Sequence, residues 1–99
     1  MTGTTISTAE LDPRRRKALY RAWHRGMREM DLLLGQFADA KIASMSQSDL
    51  AAFELLLDGA PDRDLLAWFT GEATVEPAYD TPVWRALIAF HEHDGPIHV

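Results

Sequence analysis

The chain has 99 residues, ten lysines and arginines against fifteen aspartates and glutamates for a net charge of −5, and no cysteine. At this length roughly 60 to 65% of the unfolded surface can be buried, enough for one modest core, and the lack of cysteine excludes a disulfide scaffold, a thiolate metal site and a cysteine nucleophile while fitting a reducing, intracellular home. No apolar run approaches the roughly 18 residues that cross a bilayer, and Met1 to Glu10 has neither the basic start nor the apolar centre of an export signal.

Residues 1–11, with Thr2, Thr4, Thr5, Ser7 and Thr8, read as a flexible N-terminal tail. Asp12-Pro13 then supplies a helix cap followed by a first-turn proline. Leu19, Trp23, Met27, Met30, Leu34 and Phe37 recur every three or four residues, an apolar stripe that stays in phase through Gly26. The segment from Asp12 to Asp39 is therefore one long helix or two helices jointed near Arg25. Ser46 and Asp49 form a capping-box-like start ahead of Leu50, Phe53, Leu56 and Leu57, and that run stops at Asp58-Gly59. Pro61 with Asp62 and Asp64 opens a brief helix that carries Leu65, Trp68 and Phe69 and closes at Gly71. Thr81-Pro82 opens the last helix, bearing Val83, Trp84, Leu87, Ile88 and Phe90 and ended by Gly95-Pro96. No strand pattern competes. The expectation is an all-α single domain over residues 12–94, a small bundle of four or five helices with Trp23, Phe37, Phe53, Trp68, Trp84 and Phe90 as the bulk of its core, and a second tail over residues 95–99.

Charge is unevenly placed. Residues 1–31 carry seven positive and four negative charges, a net +3, whereas residues 32–99 carry three positive and eleven negative, a net −8. On a continuous helix Arg14, Lys17, Arg21, Arg25 and Arg28 would share one face as a basic ridge. Such a ridge suits phosphate neutralisation, yet the domain is acidic overall and no stacking aromatics are interleaved with the cations, so the expectation is that nucleic acid is not a partner.

The densest feature is Arg25-Gly26-Met27-Arg28-Glu29-Met30-Asp31, a glycine inside a dense row of opposite charges. Glycine within a helix costs about 1 kcal/mol relative to alanine, so its presence points to a bend or to a bare backbone approached closely by something else. An intrahelical Arg25–Glu29 pair would contribute only about 0.3 kcal/mol, in the weaker order. Arg25, Gly26 and Glu29 are accordingly read as a partner-binding patch in which a partner packs on Gly26 while Arg25 and Glu29 make flanking hydrogen bonds.

His91, Glu92, His93, Asp94 and His98 invite a metal reading, but His91 and His93 are two apart and point to different sides of a helix. They are assigned to an exposed helix C-terminus, where histidine suits the dipole, and no metal site is expected. No Ser-His-acid set, phosphate-cradling glycine loop, dinucleotide fingerprint or inward carboxylate pair is discernible, so no catalytic residue is assigned.

Tyr20, Arg25-Gly26-Met27-Arg28-Glu29-Met30-Asp31 and the following Leu32-Leu33-Leu34 together resemble the SdhE family, the succinate dehydrogenase FAD assembly factors, whose hallmark is Arg-Gly-x-x-Glu in a small helical protein. Asp62-Arg63-Asp64-Leu65-Leu66-Ala67-Trp68 is similar to that family's later Asp-x-Asp-Leu/Ile-x-x-Trp segment. The resemblance covers roughly residues 14 to 92; the threonine-rich start and the histidine-containing end fall outside it.

The resemblance implies a chaperone-like, non-enzymatic factor that binds the flavoprotein subunit of succinate dehydrogenase, and often of fumarate reductase, and promotes covalent attachment of FAD. The bond joins the flavin's 8α carbon to a histidine of the client, so flavin and nucleophile belong to the client and no cofactor is expected to be held tightly here. On that reading Arg25, Gly26 and Glu29 are expected to dock on the client and Arg28 and Asp31 to tune the same partner-binding face, with Met27 and Met30 anchoring it to the core. The expected home is the bacterial cytoplasm, or the mitochondrial matrix in a eukaryote, with no membrane insertion and a monomer when free. The other classes left open by the residues are a general interaction module with an unrelated client and a small nucleic-acid-associated protein.

Overall fold

The computed structural model describes residues 10–93, with the side chain of His93 outside that description. Five α-helices and two short 3-10 turns account for the architecture, and no strand occurs among the described residues: α1 Pro13–Trp23, α2 Arg28–Lys41, α3 Gln47–Gly59, α4 Asp62–Thr70 and α5 Pro82–His93, with the turns at Ile42–Ser44 and Pro77–Tyr79.

Local chemistry starts each helix. The Asp12 carboxylate accepts from the Arg15 backbone N–H at 2.8 Å, with Pro13 in the first helical position. Ser46 Oγ accepts from Asp49 N–H at 3.1 Å to open α3, and Thr81 Oγ1 accepts from Trp84 N–H at 3.2 Å to open α5. At α4 no side chain caps the start; Asp62 and Asp64 place negative charge in the first turn instead. Gly71, at φ +84°, ends α4, and its N–H reaches Trp68 O while Ala73 N–H reaches Ala67 O.

The segment expected as one or two helices is two. α1 and α2 run antiparallel: near one end Arg15 Nη1 donates to Ile42 O at 2.9 Å, and near the other the Trp23 indole covers Gly35. The stripe residues of the two helices therefore face each other. Leu19, Met30, Leu34 and Phe37 are buried, with Trp23 and Met27 half-buried at the joint.

The core brings Phe53, Leu56 and Leu57 of α3, Leu65 of α4, and Val83, Trp84 and Leu87 of α5 onto the α1–α2 pair. Phe37 meets Phe53 and Phe90 with ring centroids 5.9 and 5.8 Å apart, and Trp68 meets Trp84 edge to face at 6.2 Å. Phe37, Phe53 and Trp84 are buried, as expected, while Trp23, Trp68 and Phe90 pack at the core's margin. Leu11, placed in the tail by the sequence, is buried because the chain ahead of the Asp12 cap folds onto the core. Residues 1–9 of the first expected tail and all of the second, with the Gly95-Pro96 stop, lie outside the described residues.

Candidate functional site

The site grows from a corner that the backbone leaves incomplete. In α3 the Leu57 carbonyl would normally accept from the residue four places on, but that residue is Pro61, which has no N–H. Arg25, from the α1–α2 loop, fills the vacancy. Its Nη1 donates to Leu57 O, its Nη2 to Ala60 O at 3.0 Å, and its Nε to Asp62 Oδ1 at 2.8 Å, at the first residue of α4. The Arg25 and Asp62 side chains are only 12% and 18% exposed. One planar guanidinium thus closes the C-terminus of α3, where the dipole favours a cation, and ties it to the start of α4.

The same residue fixes the loop that carries it. The Arg25 backbone N–H donates to Asp31 Oδ1 at 2.6 Å, so Asp31 reaches back from the first turns of α2. Between these anchors Gly26 sits at φ +102°, exposed, with nothing within 4 Å of the position a Cβ would take. Met27 follows and, with Pro61, Arg63 and Asp64, lines an open cleft. Arg28 and Glu29 are exposed, and among the described residues neither they nor Arg63 or Asp64 has an ion-pair partner. Arg28 occupies the first position of α2, where the dipole disfavours a cation. Beyond the loop Tyr20, 61% exposed, stacks on His24 with centroids 3.9 Å apart and planes 17° from parallel, and His24 Nδ1 donates to Tyr20 O at 2.7 Å.

Gly26, Arg28 and Glu29 thus stand together on the surface. Arg25, expected to make flanking hydrogen bonds to a partner, has internal partners for all three of its side-chain nitrogens, and Asp31, half-buried, holds its backbone through Oδ1. An Arg25–Glu29 helical spacing does not arise, because Arg25 precedes α2.

The basic ridge is corrected. The break at residues 24–27 turns Arg25 inward, and acids of α3 meet Arg14 and Arg21 of the row. Arg14 makes a two-pronged contact with Glu54, Nε to Oε2 at 2.9 Å and Nη2 to Oε1 at 2.7 Å, with Nη1 on Gln47, while Arg21 pairs with Asp58. The hydrogen bonds from Arg14 hold the Glu54 carboxyl below the usual carboxylate range and raise the Arg14 guanidinium in return.

His91 also departs from expectation: it is buried, its Nε2 donates to Leu33 O at 2.8 Å, and its ring meets Phe69 edge to face at 5.6 Å. It is a satisfied core histidine binding α5 to α2. The His93 side chain, Asp94 and His98 lie outside the described residues. Sequence reasoning missed Asp62 and the Leu57 and Ala60 carbonyls as members of the site. The available signal was Pro61 itself, four residues beyond a helical carbonyl and therefore leaving an acceptor for another part of the chain.

The two segments that carried the resemblance thus meet at one corner, Arg25 on Asp62. A protein-family model described as "Flavinator of succinate dehydrogenase" matches residues 16–91. The chain is 37% identical over 89 residues to a Dictyostelium discoideum protein named succinate dehydrogenase assembly factor 2, mitochondrial, covering 90% of this chain and 62% of that one. It is 32% identical over 83 residues to the FAD assembly factor SdhE of Acetobacter pasteurianus, covering 84% and 75% respectively. With a Drosophila persimilis protein named succinate dehydrogenase assembly factor 2-B, mitochondrial, identity is 35% over 78 residues, covering 78% and 50%. The chain therefore spans between half and three quarters of the length of these relatives. No solved structure matches it significantly. The match over most of the chain, to the family and to a bacterial SdhE, bears out the resemblance: this chain belongs to the Sdh5 family, the flavinators of succinate dehydrogenase.

Proposed function

We propose that this chain binds the flavoprotein subunit of succinate dehydrogenase and promotes the covalent attachment of FAD to it, acting as a chaperone-like assembly factor and not as an enzyme. FAD and the histidine that accepts it belong to the client. The chain acts as a monomer until it meets that subunit, in the bacterial cytoplasm or in the mitochondrial matrix. No helix among the described residues is long and apolar enough to cross a membrane.

One observation carries the reading. Gly26 presents bare, exposed backbone in a loop whose neighbours Arg28 and Glu29 are charged and unpaired, beside a cleft lined by Met27, Pro61, Arg63 and Asp64. Stability gives no reason for an unpaired cation at the start of α2, whereas a docking client can neutralise it. Docking there favours a client conformation in which flavin and histidine are aligned. Orientation of that kind lowers a barrier by several kcal/mol without any acid or base from the helper.

The test is co-expression of the cognate flavoprotein with this chain, with Arg25→Ala/Glu29→Ala, or with neither, followed by in-gel fluorescence of the denatured subunit. Covalent flavin raised by the natural chain alone supports the reading. Equal fluorescence in all three leaves a helical interaction module with a different client.

A further inference from the structure

We propose that Asp62 is a positioning residue for the docking loop, acting through Arg25 to preset the conformation in which Gly26, Arg28 and Glu29 are presented. The inference rests on the functional reading above and assigns to α4 a part in binding that a surface inventory misses, because Asp62 is too enclosed to offer its own carboxylate broadly to a client.

The other ties of the loop lie at its two ends, where His24 bonds back to α1 and Met27 packs on the core. It is four residues long, Met27 precedes α2 without a side-chain cap, and nothing lies within 4 Å of the position a Cβ on Gly26 would take. The polar anchors of Arg25 are the backbone bond to Asp31 and the three guanidinium bonds to the α3–α4 corner. Two of those three go to carbonyls, which accept any donor from many directions. The third, Nε to Asp62, is charge-assisted and fixes the rotation of the guanidinium plane. It also compensates a cation that is only 12% exposed. Without Asp62 the guanidinium keeps its carbonyls but loses both its orientation and its counter-ion. The cheapest relief is for Arg25 to swing toward water, carrying Gly26 with it.

The experiment pairs a spectrum with a binding measurement. In the natural chain the Arg25 Nε–H gives a solvent-protected amide-type NMR signal, and Asp62→Ala removes that protection and shifts the Gly26 amide resonance. Affinity for the purified apo-flavoprotein subunit falls at least tenfold, while Ile42→Val, a destabilising core change in the 3-10 turn that follows α2, leaves affinity within twofold. Asp62→Asn, nearly isosteric and uncharged, moves both readouts in the same direction by less and serves if the alanine variant does not fold. An unchanged Arg25 Nε–H and Gly26 amide in the Asp62 variants overturns the proposal. So does a loss of affinity no larger than that of Ile42→Val. If the natural chain fails to bind the flavoprotein at all, the functional reading falls, and the NMR readout still decides whether Asp62 sets the loop.

Discussion

The indole of Trp23, the last residue of α1, lies flat against the bare Cα of Gly35 in the middle of α2, so closely that a Cβ on Gly35 would come within 3.0 Å of three ring carbons. The Trp23 Nε1–H is buried there without a hydrogen-bond partner, so packing alone holds the ring. Two effects oppose each other at this position. Alanine is the better helix former by about 1 kcal/mol, but overpacking a close contact costs about 1 to 3 kcal/mol. Gly35→Ala is expected to lower stability by about 1 kcal/mol or more in urea denaturation, with a shift in tryptophan emission. A stabilised variant with unchanged emission would show that the indole gives way freely.

Gly26 poses the opposite problem, since space is free and the backbone is not. At φ +102° any side chain is strained although nothing stands within 4 Å, so Gly26→Ala is expected to cost about 1 to 2 kcal/mol. Gly26→Arg adds bulk in open solvent and should cost a similar amount. The two are expected to separate in binding, with alanine retaining most of the client affinity and arginine abolishing it. Equal affinities would show that nothing approaches this backbone closely.

Arg25→Lys preserves the charge but not the fork. A single ammonium cannot serve Leu57 O, Ala60 O and Asp62 Oδ1 in the plane that the guanidinium spans. The expected loss is about 2 kcal/mol, the scale of leaving one buried polar partner unsatisfied, read as a lower urea midpoint with an unchanged m-value. A lysine variant as stable as the natural chain would mean that water replaces the missing bonds.

Acid should weaken the α1–α3 contact with a definite sign. The Glu54 carboxyl is held below its ordinary 4.5 first by hydrogen bonds from Arg14. A folded value below the unfolded one means that the contribution is complete above about pH 4.5 and is lost as pH falls through the lower folded value. Asp12, lowered from 3.8 chiefly by the Arg15 backbone N–H, acts in the same direction. Glu54→Gln should flatten the fall of Tm below pH 4.5 and leave the slope near neutrality unchanged. The effect is small, because the pair is exposed, and it shrinks further in high salt. An acid limb identical to that of the natural chain would remove Glu54 from the account.

What could be read in advance follows the range of the interactions. Asp12-Pro13, Ser46 and Thr81-Pro82 start helices through bonds to backbone three residues away, and a linear sequence displays those directly. The break at residues 24–27 was ambiguous because four loop residues span about one helical turn, so the apolar stripe keeps its phase whether or not the helix continues. The partners of Arg25 lie 32 to 37 residues on, and the partner of His91 lies 58 residues back. Spacing rules written for neighbours on one helix assigned Arg25 to a client and His91 to solvent. Burial reverses the second, and distant acceptors hold the first within the fold, because neither partner lies within reach of a local spacing rule.

The long reach from Arg25 to Asp62 also orders events during synthesis. Translation proceeds from the N-terminus at about 5 to 20 residues per second. The loop at residues 24–27 therefore emerges from the ribosome well before Leu57, Ala60 and Asp62 exist outside the tunnel. Until those acceptors arrive, Arg25 has nothing to close upon and Gly26 has no fixed setting. A nascent chain stopped short of α4 can form α1 and α2 yet cannot present the finished loop. The corner around Arg25 is thus completed late in translation, although the loop itself is made early.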